Sequence, residues 1–148
     1  MKHILLLSTG GTIASRPGSD GLEPEMSGQE LLSCLGDLRG RFQVEVQQIM
    51  NLDSSNIQAE EWKIMARSVY ENLGSYDGFI ITQGTDSMAD SASMLIFMLR
   101  GLQKPVVFTG AQFPMDNMRT DARNNLLCAL AAVEAGIPGV SVAFNRHI

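Results

Sequence analysis

Three short strings combine hydroxyls, amides, a carboxylate and glycines in a way that suits acyl chemistry on a small polar molecule. The first is Ser8-Thr9-Gly10-Gly11-Thr12-Ile13-Ala14-Ser15, where paired glycines let the backbone come close to a ligand and Thr9 and Thr12 supply hydroxyls. The second is Thr82-Gln83-Gly84-Thr85-Asp86-Ser87. A hydroxyl beside a carboxylate, Thr85 next to Asp86, is suited to orienting a nucleophile or a water, although threonine needs further activation before it attacks an amide. The third, Thr109-Gly110-Ala111-Gln112-Phe113-Pro114, adds another close backbone approach and an amide side chain.

Each string has a plainer explanation. The first fits a tight strand-to-helix turn about as well as a ligand site, and it carries neither GxGxxG nor GxxxxGK[ST], so a nucleotide is not favoured. Asp86 taken singly would cap a helix or complement its dipole. Three polar loops on successive strand ends argue instead for one pocket lined by hydroxyls, backbone amides and a carboxylate. Neither histidine supports a Ser-His-Asp hydrolase, because His3 precedes the first strand and His147 lies at the end of the sequence.

The loops need a frame. Apolar runs at Ile4 to Leu7, Phe79 to Ile81, Val106 to Phe108 and Val140 to Phe144 alternate with helix-like patterns, the rhythm of a parallel sheet. Met88, Ala92, Leu95 and Leu99 form one helical stripe, and Leu126, Leu127, Leu130 and Val133 another. Ser87 with Asp90 and Thr120 with Asp121 offer helix-start oxygens, while Gly101 and Gly136 mark ends. Val44 to Ile49 alternates as a half-buried strand, and Trp62, Met65, Ala66, Val69 and Leu73 make a further helix face. Ser27 and Glu30 form a capping box, and the stretch Arg16 to Pro24 is expected to be a mobile loop. The expected fold class is α/β, an open parallel doubly wound sheet with flanking helices. In such sheets ligands bind at the loops after the carboxyl ends of strands, where the three strings fall.

Composition narrows the partners. At 148 residues, 45% hydrophobic and 18% charged, the chain matches one soluble domain, and the net charge of −5 leaves no basic stripe for nucleic acid. Cys34 and Cys128 lack disulfide or zinc spacing and are expected to be buried small hydrophobes. The apolar start is too short for a signal peptide and no membrane segment follows, so the expected location is cytoplasmic.

Several separate motifs, in order, resemble the asparaginase/glutaminase family, especially its cytoplasmic type I branch. They are Thr9-Gly10-Gly11-Thr12-Ile13-Ala14, Asp53-Ser54-Ser55, Gly84-Thr85-Asp86-Ser87-Met88, Thr109-Gly110-Ala111-Gln112, Arg119-Thr120-Asp121-Ala122-Arg123-Asn124-Asn125-Leu126 and Phe144-Asn145. The resemblance implies an amino-terminal catalytic domain over 1–148, incomplete and without the family's carboxy-terminal domain, in a homo-oligomer. It implies hydrolysis of asparagine, with glutamine as an alternative substrate, by double displacement without a metal or cofactor: Thr12 attacks the carboxamide, ammonia leaves, and water releases aspartate. Thr85 and Asp86 would help to activate the nucleophile or the water. Gly11, Asp53, Ser54, Ser55, Gly84 and Ala111 would bind substrate, with Ser54 at the α-carboxylate and the Ala111 backbone at the carboxamide.

The sequence departs from the family pattern in places. Leu22 stands where a loop tyrosine is usual, Gln83 and Ser87 flank Gly-Thr-Asp in place of histidine and threonine, and the family's catalytic lysine has no counterpart before Ile148. Other readings follow: a weakly active fragment or a non-catalytic module binding an acidic amino acid, and the ammonia-releasing subunit of a tRNA amidotransferase. The first strand at Ile4 disfavours the extra domain that such a subunit carries. A purely structural dimerisation domain ranks last, since Met94, Ile96, Phe97 and Met98 fit a buried core better than an interface.

Overall fold

The computed structural model describes residues 1–18, 21–24, 28–33, 35–36 and 40–148. In chain order, strand β1 (Lys2–Gly10) leads to a hairpin of β2 (Ser15–Gly18) and β3 (Gly21–Pro24), then to the short helix α1 (Gly28–Ser33) and the long strand β4 (Phe42–Leu52). Helix α2 (Ala59–Asn72), β5 (Gly78–Thr82), α3 (Met88–Met98), β6 (Pro105–Thr109), α4 (Ala122–Ala135) and β7 (Gly139–Val142) follow. Five strands form one sheet in the order β4-β1-β5-β6-β7, every neighbouring pair parallel.

Two facts about the side chains fix this arrangement. Strands β5 and β6 are buried along their whole length, as strands covered by helices on both faces must be. In β1, Ile4 and Leu6 point into a core shared with α4, whereas Leu5 and Leu7 point into a second core with α2 and α3. Each of these residues is at most 2% exposed, so each contributes about 1.5–3 kcal/mol of burial. The helices are therefore divided between the two faces, which makes the sheet doubly wound as expected. At Gly78 an added Cβ would lie 2.5 Å from a Val133 methyl, so the missing side chain is what lets α4 settle on β5.

The strand order decides where a ligand can enter. From β1 the chain moves out to β4 and then crosses back to β5 on the other side of β1. The loops after β1 and β5 thus diverge, and the crevice at this switch point is the general ligand position in open α/β sheets. A register shift between Ser8 and Gly10 bends the end of β1, pairing Gly10 with Leu52 at the rim of that crevice.

In the stretch Arg16 to Pro24, expected to be a loop, the described residues form strands: β2 and β3 pair antiparallel, with Ser15 opposite Pro24 and Gly18 opposite Gly21. Gly18 and Gly21 stand opposite each other where the paired strands meet their connection. Gly136 ends α4 in the left-handed conformation at φ 72°, and Gly101, φ 74°, follows α3. Neither Ser87 nor Asp121 caps its helix with its side chain, because both side chains are engaged elsewhere. Phe97 and Ile96 are 65% and 52% exposed, and Met94 and Met98 are also exposed, so these residues do not form core. Cys128 is half-buried against the α4 core; Ser27 and Cys34 lie outside the described residues. No described helix is long and apolar enough to cross a membrane.

Candidate active site

Gly11 and Gly84 bring the first two strings into contact. Gly11 sits at φ 81°, ψ 177°, a region open essentially to glycine alone, and a Cβ there would lie 2.3 Å from the Gly84 nitrogen. A Cβ on Gly84 would in turn meet the Ser54 hydroxyl at 2.5 Å. The backbones after β1 and β5 are pressed together where side chains would have held them apart, and the Ser54 side chain, after β4, packs onto that contact. Around this contact opens a cleft of about 480 Å³ lined by Gly11, Thr12, Ser15, Asn51, Leu52, Asp53, Ser54, Asn56, Gly84, Thr85 and Asp86.

Thr12 opens the single turn Thr12–Ala14, which is closed by Ala14 N–H and Ser15 Oγ both donating to the Gly11 carbonyl, at 3.0 and 2.9 Å. Ile13 and Ala14 are buried and anchor the turn, leaving Thr12 half-exposed in the cleft. Among the described residues no side chain or backbone group hydrogen-bonds its hydroxyl. Across the Gly11–Gly84 contact, Thr85 is half-exposed and Asp86 is exposed. The Asp86 N–H donates to Ser54 Oγ at 3.2 Å, so the carboxylate stands on the strand-end loop just as the helix α3 begins.

The far wall is the turn Ser54–Asn56. Asp53 caps it, accepting from Ser55 Oγ at 2.7 Å and Ser55 N–H at 2.8 Å, and these two bonds hold the Asp53 carboxyl below the usual carboxylate range. Asp53 is thereby committed to shaping the turn. Ser54 is buried, and because its oxygen accepts from Asp86 its own hydrogen is free to be offered to a ligand.

Of the residues singled out from the sequence, Gly11, Thr12, Asp53, Ser54, Gly84, Thr85 and Asp86 line one cleft. Ser55 is exposed beside it, and Ala111 lies in the core at 0% exposure, off the cleft lining. The expectation of three successive strand-end loops around one pocket is corrected: the cleft is built by the loops after β4, β1 and β5, since those strands are neighbours and β6 is one strand further out. The third string flanks it through Gln112, whose Nε2 is 3.5 Å from Thr85 Oγ1, and through a shallower apolar hollow shared with Met88, Val142 and Phe144. The Asp121 carboxylate holds that string in place, accepting from the Gln112 and Phe113 N–H groups at 3.0 Å. Fully buried Asn125 donates to the Gly110 carbonyl and accepts from Asn145 N–H.

Sequence reasoning did not assign Asn51, Leu52 and Asn56 to the lining, nor Ser15, which closes the first string. Asn56 follows the Asp53-Ser54-Ser55 motif directly and could have been found from it; Asn51 could not, because its place depends on the pairing of β4 with β1. A second hollow of about 290 Å³ lies between the C-terminal ends of α2 and α3, at the other end of the sheet. Its wall is mostly apolar, with Tyr70, Leu73, Met98 and Leu102, and its Lys104 ammonium is occupied by the Leu73 and Tyr76 carbonyls. No group there can act as a nucleophile in the way a hydroxyl beside a carboxylate could.

Comparison with known proteins bears on the family and the fold. The family model for the asparaginase N-terminal domain matches residues 3–148. The L-asparaginase of Thermococcus kodakarensis is 42% identical over 146 residues, covering 98% of this chain and 44% of that protein. A glutamyl-tRNA(Gln) amidotransferase subunit of Archaeoglobus fulgidus is 39% identical over 147 residues, covering 98% of this chain and 35% of that protein. Among solved structures, the thermostable L-asparaginase from Thermococcus kodakarensis superimposes with a TM-score of 0.89 at 40% identity, over 96% of this chain and 44% of the other. The chain thus spans less than half the length of the relatives it matches.

Proposed function

The chain belongs to the asparaginase family, and on that premise we propose that it is the nucleophile-bearing domain of an amidohydrolase that converts asparagine to aspartate and ammonia. The observation that carries the proposal is the Gly11–Gly84 contact, which puts Thr12 in one cleft with Thr85 and Asp86. The Thr12 oxygen attacks the side-chain carboxamide carbon, and the C–N bond breaks as the hydroxyl proton is passed to the departing ammonia. An ester between Thr12 and the aspartyl group remains. A water molecule then attacks the same carbon, releases aspartate and returns a proton to Thr12.

Each step asks for something that the cleft can supply. On this reading Thr85 and Asp86 handle the proton and orient the water. Backbone N–H groups at Gly11 and Thr12 are suited to the negative oxygen that develops on the carboxamide. On this reading Ser54 offers its hydroxyl hydrogen to the substrate's carboxylate, and Asp86 meets its ammonium. The cleft wall is polar and small, in keeping with an amino acid rather than a lipid or a polymer. Ala111 acts, on this reading, only through the backbone of its loop. We further propose that the protein works in the cytoplasm as a homo-oligomer without a cofactor.

The 39% identity to an amidotransferase subunit supports a second reading, in which the same cleft releases ammonia from glutamine for use by a partner. One methylene separates the two substrates, and a pocket discriminates such a difference by only about 1–3 kcal/mol. Ammonia release from asparagine and from glutamine, beside Thr12→Ala, tests both. Asparagine turnover that disappears in the variant is the expected result. Glutamine turnover alone would favour the amidotransferase reading, and aspartate binding without turnover would leave a binding module. Turnover that survives Thr12→Ala would remove the nucleophile.

A further inference from the structure

Behind the cleft, on the face of β5 that packs against α2 and α3, one amide joins the supports of its two walls. Gln83 is 1% exposed, and its Nε2 donates to Ser87 Oγ at 3.0 Å and to Ser91 Oγ at 2.9 Å. Trp62 Nε1 donates to the same Ser91 oxygen at 2.9 Å. Since Ser87 Oγ accepts from Gln83, its hydrogen is directed to the Ser54 carbonyl, 2.6 Å away. Ser54 Oγ accepts in turn from Asp86 N–H. One hydrogen of the Gln83 amide thus anchors Ser87 Oγ, whose own hydrogen reaches the far wall, and the other anchors Ser91.

The other end of that amide is unused. Gln83 Oε1 is buried without a hydrogen-bond partner, which is costly, and an apolar side chain of equal length would avoid the cost while filling the same space. What glutamine contributes here is the pair of donors. Gln83 itself is absent from the cleft lining, so it can affect a ligand only through the groups it holds. Thr12 is fixed independently, by the bonds that Ala14 and Ser15 make to Gly11.

We infer that Gln83 is a positioning residue for the amide-cleaving cleft, acting through Ser87 to clamp the Ser54 wall against the Thr85 and Asp86 wall and so to set how tightly substrate is held. The inference rests on the proposed amidohydrolase reading for its substrate, though not for its geometry. Without the donors the Ser87 hydroxyl can turn away and the Ser54 wall is released, while the nucleophile's turn stays in place. Binding should suffer more than the chemical step.

The test compares the wild-type protein with Gln83→Met, Ser87→Ala and the double variant, measuring KM and kcat for asparagine together with hydrogen exchange at the Asp86 amide. Gln83→Met is expected to raise KM about 10-fold, equivalent to about 1.4 kcal/mol, with kcat little changed. Ser87→Ala should do the same, and the double variant should be no worse than either, because both remove one clamp. Exchange at Asp86 should quicken in all three. An unchanged KM with only a lower melting temperature, or additive effects in the double variant, would overturn the inference. If Gln83→Met fails to fold, Ser87→Ala at its half-exposed position decides by the same criteria. Should the wild type release no Thr12-dependent ammonia, the amidohydrolase reading fails by itself, and unchanged Asp86 exchange in the variants would then separately refute the clamp.

Discussion

The two ends of the sheet are built on different principles. At the carboxyl ends of the strands the polar groups are inside: Thr9, Ser54, Thr82, Gln83, Thr109 and Asn125 are all buried, and glycines let loop backbones touch. At the amino ends the polar groups are outside. There His3 Nε2 lies 2.8 Å from Glu45 Oε1, Tyr76 Oη donates to Glu45 Oε2 at 2.7 Å, and Arg41 pairs with Glu134, all at exposed or half-exposed positions. Buried polar groups in low dielectric are strongly directional and costly to disturb, whereas exposed ion pairs are screened by water. One end is therefore rigid enough to hold a cleft, and the other serves mainly to join strands at the surface.

The sharpest way to break the comparison is at the glycine contact. Gly11→Ala must place a Cβ 2.3 Å from the Gly84 backbone and hold alanine at φ 81°, ψ 177°. We expect a loss of at least about 3 kcal/mol in stability, together with loss of any activity the cleft supports. Gly40→Ala is the control, because Gly40 has a positive φ of 65° with nothing within 4 Å of its Cβ. It should cost only the left-handed conformation, about 1–2 kcal/mol. Denaturant midpoints of the two variants check this. Equal losses would mean that backbone strain, and not the meeting of two loops, is what the glycine relieves.

The same contrast explains what could be read from sequence. The doubly wound frame was legible because strands such as Phe79 to Ile81 must be apolar on both faces, and because Gly136 can stop a helix in a way that few residues can. The chemistry-bearing strings were legible by residue type. Their assembly was not: nothing local says that β4 pairs with the outer edge of β1, so the Ser54 loop was placed only by resemblance and Asn51 was not found. The hairpin after Ser15 escaped because its glycines and prolines also suit a loop. Met94, Ile96 and Phe97 misled because composition cannot tell which face of α3 meets the sheet. Gln83 registered only as a departure from a pattern, since its importance depends on hydrogen bonds to Ser87 and Ser91 that exist only after α3 docks.

At the outer end, pH is the probe. The Tyr76 hydroxyl, and after it His3, hold the Glu45 carboxyl below its ordinary range, and the His3 N–H does the same for Asp77. A depressed carboxyl pKa stabilises the fold above the unfolded value, near about 4, and that stability is lost as pH falls through the lower folded value. Glu45→Gln should therefore leave stability at pH 7 slightly reduced and make the decline between neutral pH and pH of about 3 shallower. Denaturant midpoints across that range provide the measurement. Because both groups are solvent-exposed the effect should be small and should shrink in high salt. An acid limb identical to that of the wild type would show that these exposed contacts contribute nothing measurable.

The smallest expected effect lies, against intuition, inside the rigid end. Three threonines sit at the ends of β1, β5 and β6, and two of them bridge to the next strand: Thr9 Oγ1 donates to the Thr82 carbonyl and Thr109 Oγ1 to the Ala143 carbonyl, both at 2.8 Å. The third, Thr82 Oγ1, is buried without a partner. Burial alone would rank the three alike, but the cost of losing a hydroxyl depends on whether it was paired. Thr9→Val should cost about 1 kcal/mol by leaving the Thr82 carbonyl without that donor, whereas Thr82→Val should fall within about 0.5 kcal/mol of the wild type or stabilise it. Thermal melting of the two variants in parallel decides the matter. A large loss from Thr82→Val would mean that its hydroxyl is satisfied in solution, by a bound water, and that the carboxyl ends of the strands enclose more of the solvent than their packing suggests.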